Sequence, residues 1–259
     1  MFEITDKLAL VTGATGGIGG AIARAFHAQG ATVAISGRQA DKLEALKAEL
    51  GERVVVTPCD LASKEQVGKL IDEAVKALGG RLDILVNNAG ISIPGKFTDH
   101  GDEDVDKVLE VMLHGPYALM RAAWPVMEAQ RYGRIVNITS SAVKAPIDVL
   151  GLSNGARSGL TGFVAGIARK TVVHNVTINN LLPGVFDTDR IRATVEGQAK
   201  AAGIPVEEMI RRRVATVPAG RLGDPYEFGQ ACAYLCSAQA AYVTGQNFLI
   251  DGGAYPGTY

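Results

Sequence analysis

Short apolar runs alternate with amphipathic stretches along almost the whole chain. Seven runs rich in Val and Ile are typical of buried strands: Lys7–Val11, Thr32–Ser36, Val54–Thr57, Ile84–Val86, Arg134–Ile138, Thr177–Leu182 and Asn247–Ile250. Six stretches between them have helical periodicity: Gly17–Gln29, Gln39–Leu50, Ser63–Leu78, Val105–Arg131, Ser153–Val173 and Pro225–Leu235. Because strand and helix alternate strictly, the pattern predicts a doubly wound α/β fold of about seven parallel strands with helices on both faces.

No linker rich in proline or serine and no internal repeat interrupts this pattern, so the sequence predicts one domain over residues 1–259. One stretch, residues 187–216, is helical and charged but has no strand of its own. An insertion after a late strand lies at the carboxyl edge of a parallel sheet, where ligands bind. We therefore expect a helical lid over a substrate site; the alternative is a passive pair of surface helices.

Composition argues against several kinds of partner. The formal net charge of the 259 residues is −1, which argues against a nucleic-acid partner because such proteins need a basic face. The basic run Arg211–Arg213 is typical of a solvated helix face. No apolar run approaches the roughly 20 residues that cross a bilayer, and the acidic N-terminal segment resembles no targeting peptide. The three cysteines are not near other residues that could complete a metal site, which suggests buried thiols. We therefore expect a cytoplasmic protein without a metal.

A glycine-rich turn follows the first strand. The spacing Gly13-x-x-x-Gly17-x-Gly19 leads directly into a helix. The first glycine permits a tight turn, and the later ones let the backbone approach a pyrophosphate at the positively polarised helix end. This spacing, with Thr12 before it, is not the general G-x-G-x-x-G fingerprint and resembles the short-chain dehydrogenase/reductase family.

Later motifs support this resemblance over nearly the whole chain. Asp60-Leu61 follows the third strand, Asn87-Asn88-Ala89-Gly90 follows the fourth, and Pro183-Gly184 with Thr188 follows the sixth. Gly220-Arg221, Thr244–Gln246 and Asp251–Gly253 match the family's C-terminal signature. The resemblance implies a Rossmann-type domain that binds a nicotinamide dinucleotide. The expected cofactor residues are Gly13, Thr15, Gly16, Gly17, Ile18, Gly19, Arg38, Asp60, Leu61, Asn88, Ala89, Gly90, Arg157, Pro183, Gly184 and Thr188.

The end of the second strand bears on the choice of coenzyme. An NAD enzyme usually places an acid there to accept from the ribose hydroxyls, but this chain reads Ile35-Ser36-Gly37-Arg38. Arg38 can pair with the 2′-phosphate of NADP(H), so NADP(H) is favoured over NAD(H). Against this, Gly16 stands where many NADP-dependent members carry a basic residue. The alternative for Arg38 is an exposed cation ahead of the next helix.

The catalytic segment departs from the family pattern. In the family a Tyr donates the proton to the carbonyl oxygen, a Lys four residues on holds the nicotinamide ribose, a Ser polarises the carbonyl, and an Asn anchors a water. Ser140 stands at the Ser position. Counting thirteen positions on reaches Ser153 in place of the Tyr, four more reach Arg157 in place of the Lys, and Met112 replaces the Asn. The proton route of the family is therefore expected to be impaired.

The replacements retain only part of the chemistry. The Ser153 hydroxyl is far too weak an acid to replace a phenol, and Arg157 keeps the positive charge but does not shuttle protons. Lys144 and Asp148 lie in the segment that passes over the family's active site, and Lys144 is the better candidate for a replacement acid. Its alternative is a solvated loop lysine.

Two neighbouring side chains are weaker candidates for the site. We expect Tyr117 to pack, and we expect His114 to be satisfied by a local partner.

Three functions stay open at this point. The first is an NADP(H)-dependent oxidoreductase that transfers hydride to a small, largely apolar carbonyl, enone or imine by a non-standard proton route. The second is an inactive NADP(H)-binding sensor or hetero-oligomer partner. The third is halohydrin dehalogenation, but such enzymes keep the Tyr and lose the glycine motif, the reverse of this chain. The resemblance also implies a homo-oligomer, a tetramer, acting on a small-molecule substrate.

Overall fold

The computed structural model describes residues 2–258, so Met1 and Tyr259, the two ends of the expected domain, lie outside the described residues. Seven parallel strands form one sheet in the order β3-β2-β1-β4-β5-β6-β7. The strands are β1 Leu8–Thr12, β2 Thr32–Ser36, β3 Val54–Val56, β4 Ile84–Asn87, β5 Gly133–Ile138, β6 Val176–Pro183 and β7 Asn247–Ile250. The predicted doubly wound α/β fold is confirmed.

Helices cover both faces of the sheet. They are α1 Gly17–Ala28, α2 Ala40–Leu50, α3 Lys64–Ala77, α4 Asp102–Leu109, α5 Gly115–Ala129, α6 Gly151–Thr171, α7 Asp189–Ala202, α8 Val206–Val214 and α9 Pro225–Cys236. Leu10 of β1 belongs to the apolar core under α3, α5 and α6, whereas its neighbours Ala9 and Val11 belong to the core under α1, α2 and α9. The alternation of side chains along the strands thus supplies both cores.

The long helix predicted over Val105–Arg131 is interrupted. It begins earlier, at Asp102, and α4 and α5 are joined by a π-helical segment over Glu110–His114. A π segment adds a residue to one turn, so a search for a period of 3.6 residues passes over it. Such segments occur often at functional sites, and this one contains Met112, at the position where the family has its Asn.

The insertion at 187–216 forms α7 and α8 and contains no strand, as the sequence predicts. The hydroxyl oxygen of Thr188 caps α7 by accepting a hydrogen bond from the Ile191 amide at 3.4 Å. The three cysteines are free and buried, as predicted. None of the helices in the part of the chain that the structure describes is long and apolar enough to span a membrane.

Candidate functional site

A cavity of about 410 Å³ lies along the carboxyl ends of the strands. It extends from Ser36, the last residue of β2, and Arg38 to Pro183, the last residue of β6, and Thr188. Of the sixteen residues expected at the cofactor, Gly184 is the one absent from its lining; the other fifteen are Gly13, Thr15, Gly16, Gly17, Ile18, Gly19, Arg38, Asp60, Leu61, Asn88, Ala89, Gly90, Arg157, Pro183 and Thr188. The fold therefore brings residues from six separate motifs to one opening.

The glycine turn is packed so closely that side chains have no room there. Gly13 has φ +63°, and a Cβ on it would lie 2.9 Å from the Ala89 Cα. A Cβ on Gly17 would lie 2.7 Å from the Thr188 Cγ2. The side-chain amide of Asn88 holds the turn in place by donating to the carbonyls of Thr12 at 3.0 Å and Gly13 at 3.1 Å.

The first turn of α1 leaves its amide groups available. Its N-cap residue, Gly16, has no side chain to accept from them, and the first turn contains no acidic residue. Free N–H groups and the helix dipole together favour an anion at this point. The residues present therefore fit the pyrophosphate of a dinucleotide.

The far end of the cavity beside α2 is cationic. Arg38 and Lys42 are exposed there and line the opening, and a Cβ on Gly37 would lie 3.4 Å from the Thr15 Oγ1. Neither cation forms an ion pair with a carboxylate among residues 2–258. The charge of both side chains is therefore available to a ligand.

Arg157 is held on the end of β5. Its Nη1 donates to the carbonyls of Ile138 at 2.8 Å and Thr139 at 2.5 Å, and its Nε donates to the Ser153 Oγ at 3.2 Å. Burial, with a smaller contribution from the charge of Arg190, lowers the pKa of Arg157 to about 10, so the guanidinium is still a cation at neutral pH. The structure thus brings Ser153 and Arg157 together beside the cavity.

Of the expected catalytic residues, Arg157 lines the cavity, whereas Ser153, Ser140 and Lys144 lie outside the lining. The Ser140 Oγ accepts from the Ala142 amide at 3.1 Å and so caps a short turn over Ser141–Val143. The Lys144 Nζ lies 5.6 Å from the centre of the Tyr255 ring, near the C-terminus. The part of Lys144 as a replacement acid stays a prediction.

The side chains around the π segment are accounted for by packing. Met112 is 3% exposed and belongs to the core, so it offers no anchor for a water. The Tyr117 ring packs edge-on against Phe163 at 5.0 Å between centres, and the His114 Nδ1 lies 3.1 Å from the Glu110 Oε2. The structure agrees with both sequence expectations for Tyr117 and His114.

Two features of the site were not predicted. The first is Arg190, which lines the cavity and donates from Nη2 to the Gly90 carbonyl at 3.1 Å. A signal for it existed, because a cation in the first turn of a helix opposes the helix dipole.

The second is a row of four asparagines that lie side by side in register on β4 to β7. Asn87 donates to Asn137 at 2.8 Å, Asn137 to Asn180 at 3.3 Å, and Asn180 to Asn247 at 2.9 Å. Because these bonds cross three strand pairs, they stabilise the half of the sheet that positions the site.

The sheet, the uncapped helix end and the cavity together define a dinucleotide-binding α/β protein of the Rossmann type. A family model described as enoyl-(acyl carrier protein) reductase matches residues 13–255. Nodulation protein G of Rhizobium sp. (strain N33) is 41% identical over 255 residues, which cover 98% of this chain and 98% of that protein. The 3-oxoacyl-(acyl-carrier-protein) reductase FabG of Rickettsia felis is 36% identical over 261 residues, again with 98% of each covered.

Among solved structures, YwfH, an NADPH-dependent reductase involved in bacilysin biosynthesis, matches with a TM-score of 0.92 at 27% identity. The match covers 98% of this chain and 100% of that chain. This chain therefore belongs to the short-chain dehydrogenase/reductase family and is a short-chain oxidoreductase, so the resemblance seen in its motifs is confirmed.

Proposed function

We propose that the protein is an NADP(H)-dependent reductase that acts on a small, largely apolar carbonyl, enone or imine without a tyrosine acid. One observation carries the proposal: a single cavity joins the uncapped end of α1 to the Arg157 guanidinium, with fifteen expected cofactor residues on its walls. When bound, the nicotinamide supplies the hydride. The chain supplies binding, orientation and charge.

The preference for NADP(H) rests on Arg38 and Lys42. Both are exposed on the lining beyond β2, where an NAD enzyme would have an acid. A 2′-phosphate would pair with two cations there, with the Arg38 fork able to bind two of its oxygens. The NADPH dependence of YwfH, the structural relative, supports this choice.

The substrate end stabilises negative charge and holds no strong acid. The Ser153 Oγ accepts from the Arg157 Nε and so helps to hold the guanidinium in place. Arg157 remains a cation at neutral pH and lies on the cavity wall. Fixed donors and a cation stabilise an oxyanion as it develops, without prior proton transfer. This chemistry suits a conjugated enone better than a simple ketone, because hydride addition to the enone places the developing charge on its carbonyl oxygen; an iminium needs no acid, because hydride addition leaves a neutral amine.

Lys144 is the proposed proton source when a ketone is the substrate. It is only partly buried, in the segment between Ser140 and Ser153. We expect Lys144→Ala to lower kcat for ketones by about 10²-fold or more, the usual range of a general acid, and to spare enones. The assay is NADPH oxidation against ketones, enones and cyclic imines, with Lys47→Ala, exposed on α2, as the matched control. Equal ketone rates in both variants would remove Lys144 from the mechanism.

A second function is favoured by the three replacements at Ser153, Arg157 and Met112. A protein that binds NADPH and turns over no member of the panel would be a sensor or an inactive partner in a hetero-oligomer. Tight binding of NADPH without oxidation of the cofactor, measured at the same protein concentration, is the outcome that would establish this second function.

A further inference from the structure

Two arginines from distant parts of the chain approach the same backbone position. Arg190, the second residue of α7, donates from Nη2 to the Gly90 carbonyl at 3.1 Å. The Arg157 Nη2 lies 3.0 Å from where a Cβ on Gly90 would stand. Both side chains line the cavity, so two guanidinium groups converge at its substrate end.

Neither arginine of this pair forms an ion pair with a carboxylate among residues 2–258. The donors of Arg157 go to two backbone carbonyls and the Ser153 hydroxyl, and its Nη2 has no hydrogen-bond partner among residues 2–258. The Arg190 bond to Gly90 also ends on a neutral oxygen. Asp189, the neighbour of Arg190 in sequence, also lines the cavity but forms no ion pair with either arginine. By contrast, Arg192 is paired with Asp187 at 2.7 Å.

The positive charges of the two arginines do not stabilise each other. A cation in the first turn of α7 opposes the helix dipole, and the charge of Arg190 further disfavours the cationic form of Arg157 by lowering its pKa. Two like charges kept side by side in a cavity are an arrangement that suits an anionic ligand.

The dinucleotide already has a place for its own phosphates. The pyrophosphate fits the uncapped N-terminus of α1, and a 2′-phosphate fits Arg38 and Lys42. Arg157 stands at the family's lysine position, which lies at the nicotinamide end. An anion between Arg157 and Arg190 therefore comes from the substrate.

We propose that Arg157 and Arg190 form an oxyanion-binding site for a carboxylate that the substrate carries beside its reducible carbonyl or enone. This inference rests on the proposed reductase function and narrows its substrate to an oxo acid with an apolar body. The body has apolar walls available, because Ile91 and Val111 line the cavity. A guanidinium fork binds a carboxylate through two parallel hydrogen bonds, which also orients the neighbouring carbonyl.

The test compares benzylidenepyruvate with its methyl ester in NADPH oxidation. For Arg190→Gln we expect the acid-to-ester ratio of kcat/KM to fall by about tenfold or more, the effect of losing a charged hydrogen bond. Arg192→Gln, on the same helix but paired with Asp187, is the control and should keep the wild-type ratio. An unchanged ratio in Arg190→Gln overturns the site.

A binding experiment separates this site from the reductase function and from the cofactor's phosphates. Calorimetry measures the binding of phenylbutyrate, which is not reduced, to the NADPH-loaded protein. It also measures the binding of NADPH to the free protein. Loss of phenylbutyrate affinity in Arg190→Gln supports the site even if no substrate turns over, which would count against the proposed function alone. A tenfold loss of NADPH affinity with an unchanged phenylbutyrate affinity would assign the pair to the pyrophosphate and overturn the proposal.

Discussion

At the scale of single residues, the cavity differs from the surface in that its arginines have no carboxylate partner among the described residues. Most surface arginines beside carboxylates form ion pairs, as Arg24 does with Glu49 and Arg221 with Glu227. The arginines of the cavity, Arg38, Arg157 and Arg190, have no carboxylate partner among the described residues. Exposed ion pairs contribute little to stability, whereas an unpaired cation that lines a cavity is available to an anionic ligand.

The coenzyme preference is the prediction that belongs to this scale. Arg38→Asp should lower the ratio of NADPH to NADH affinity by about a hundredfold, because a repulsive carboxylate replaces the cation opposite the 2′-phosphate and gives NADH a hydrogen-bond acceptor. Fluorescence titration of both coenzymes measures it. Lys47→Asp, exposed on α2 and absent from the cavity lining, is the matched control. A ratio that is the same in both variants would place the 2′-phosphate elsewhere.

At the scale of elements, the sequence predicts strands better than it predicts contacts between them. The strands lie within one or two residues of the apolar runs, because a buried parallel strand must be almost wholly apolar. The row from Asn87 to Asn247 depends instead on the register of four strands, which no local pattern contains. The contact of Arg190 with Gly90 is tertiary and is absent from local patterns for the same reason, whereas the π segment is local but departs from the period of 3.6 residues.

The row of asparagines should stabilise the sheet most at its centre. Asn137 is fully buried and bonded on both sides, so Asn137→Ala should lower the free energy of unfolding by about 2–4 kcal/mol, since its neighbours lose buried partners. Asn247→Ala, at the exposed end, should cost less than about 1 kcal/mol. Urea denaturation of both variants measures this difference. Equal losses would show that the row is not a connected unit.

The glycine turn and α7 should act as one unit. Gly17→Ala would place a methyl group 2.7 Å from the Thr188 Cγ2, so the start of α7 must move away from the cavity. We expect the NADPH Kd to rise by about tenfold or more, with little change in the free energy of unfolding. Gly68→Ala is the matched control, because that glycine lies within α3 and has nothing within 4 Å of its added Cβ. The control should be stabilised by up to about 1 kcal/mol and bind NADPH normally.

At the scale of the whole molecule, the coenzyme end and the substrate end of the cavity are built from different parts of the chain. The motifs of the first half build the coenzyme end of the cavity, and they could be predicted because each depends on local backbone shape. The substrate end joins Gly90, Arg157 and Arg190, which only the fold brings together. The sequence predicts Arg157 as a cofactor residue, which stays a prediction, and the structure adds that two strand-end carbonyls hold its Nη1.

Assembly belongs to this scale as well, and we propose the tetramer that the family resemblance implies. Large apolar side chains stay exposed in the single chain, among them Val173 at 66% and Phe248 at 41%. Burial of such groups between copies would stabilise an oligomer.

The most direct test of the account is transfer of hydride itself. NADPH that carries deuterium at both positions of nicotinamide C4 is incubated with the protein and a mixture of enone, imine and ketone substrates, and the products are analysed by mass spectrometry. We expect one deuterium in each molecule of reduced enone or imine. The amount of deuterated product formed from the ketone should be lower in Lys144→Ala than in the wild type. NADPH bound at the glycine turn with no deuterium in any product would contradict a reductase and leave a nucleotide-binding protein.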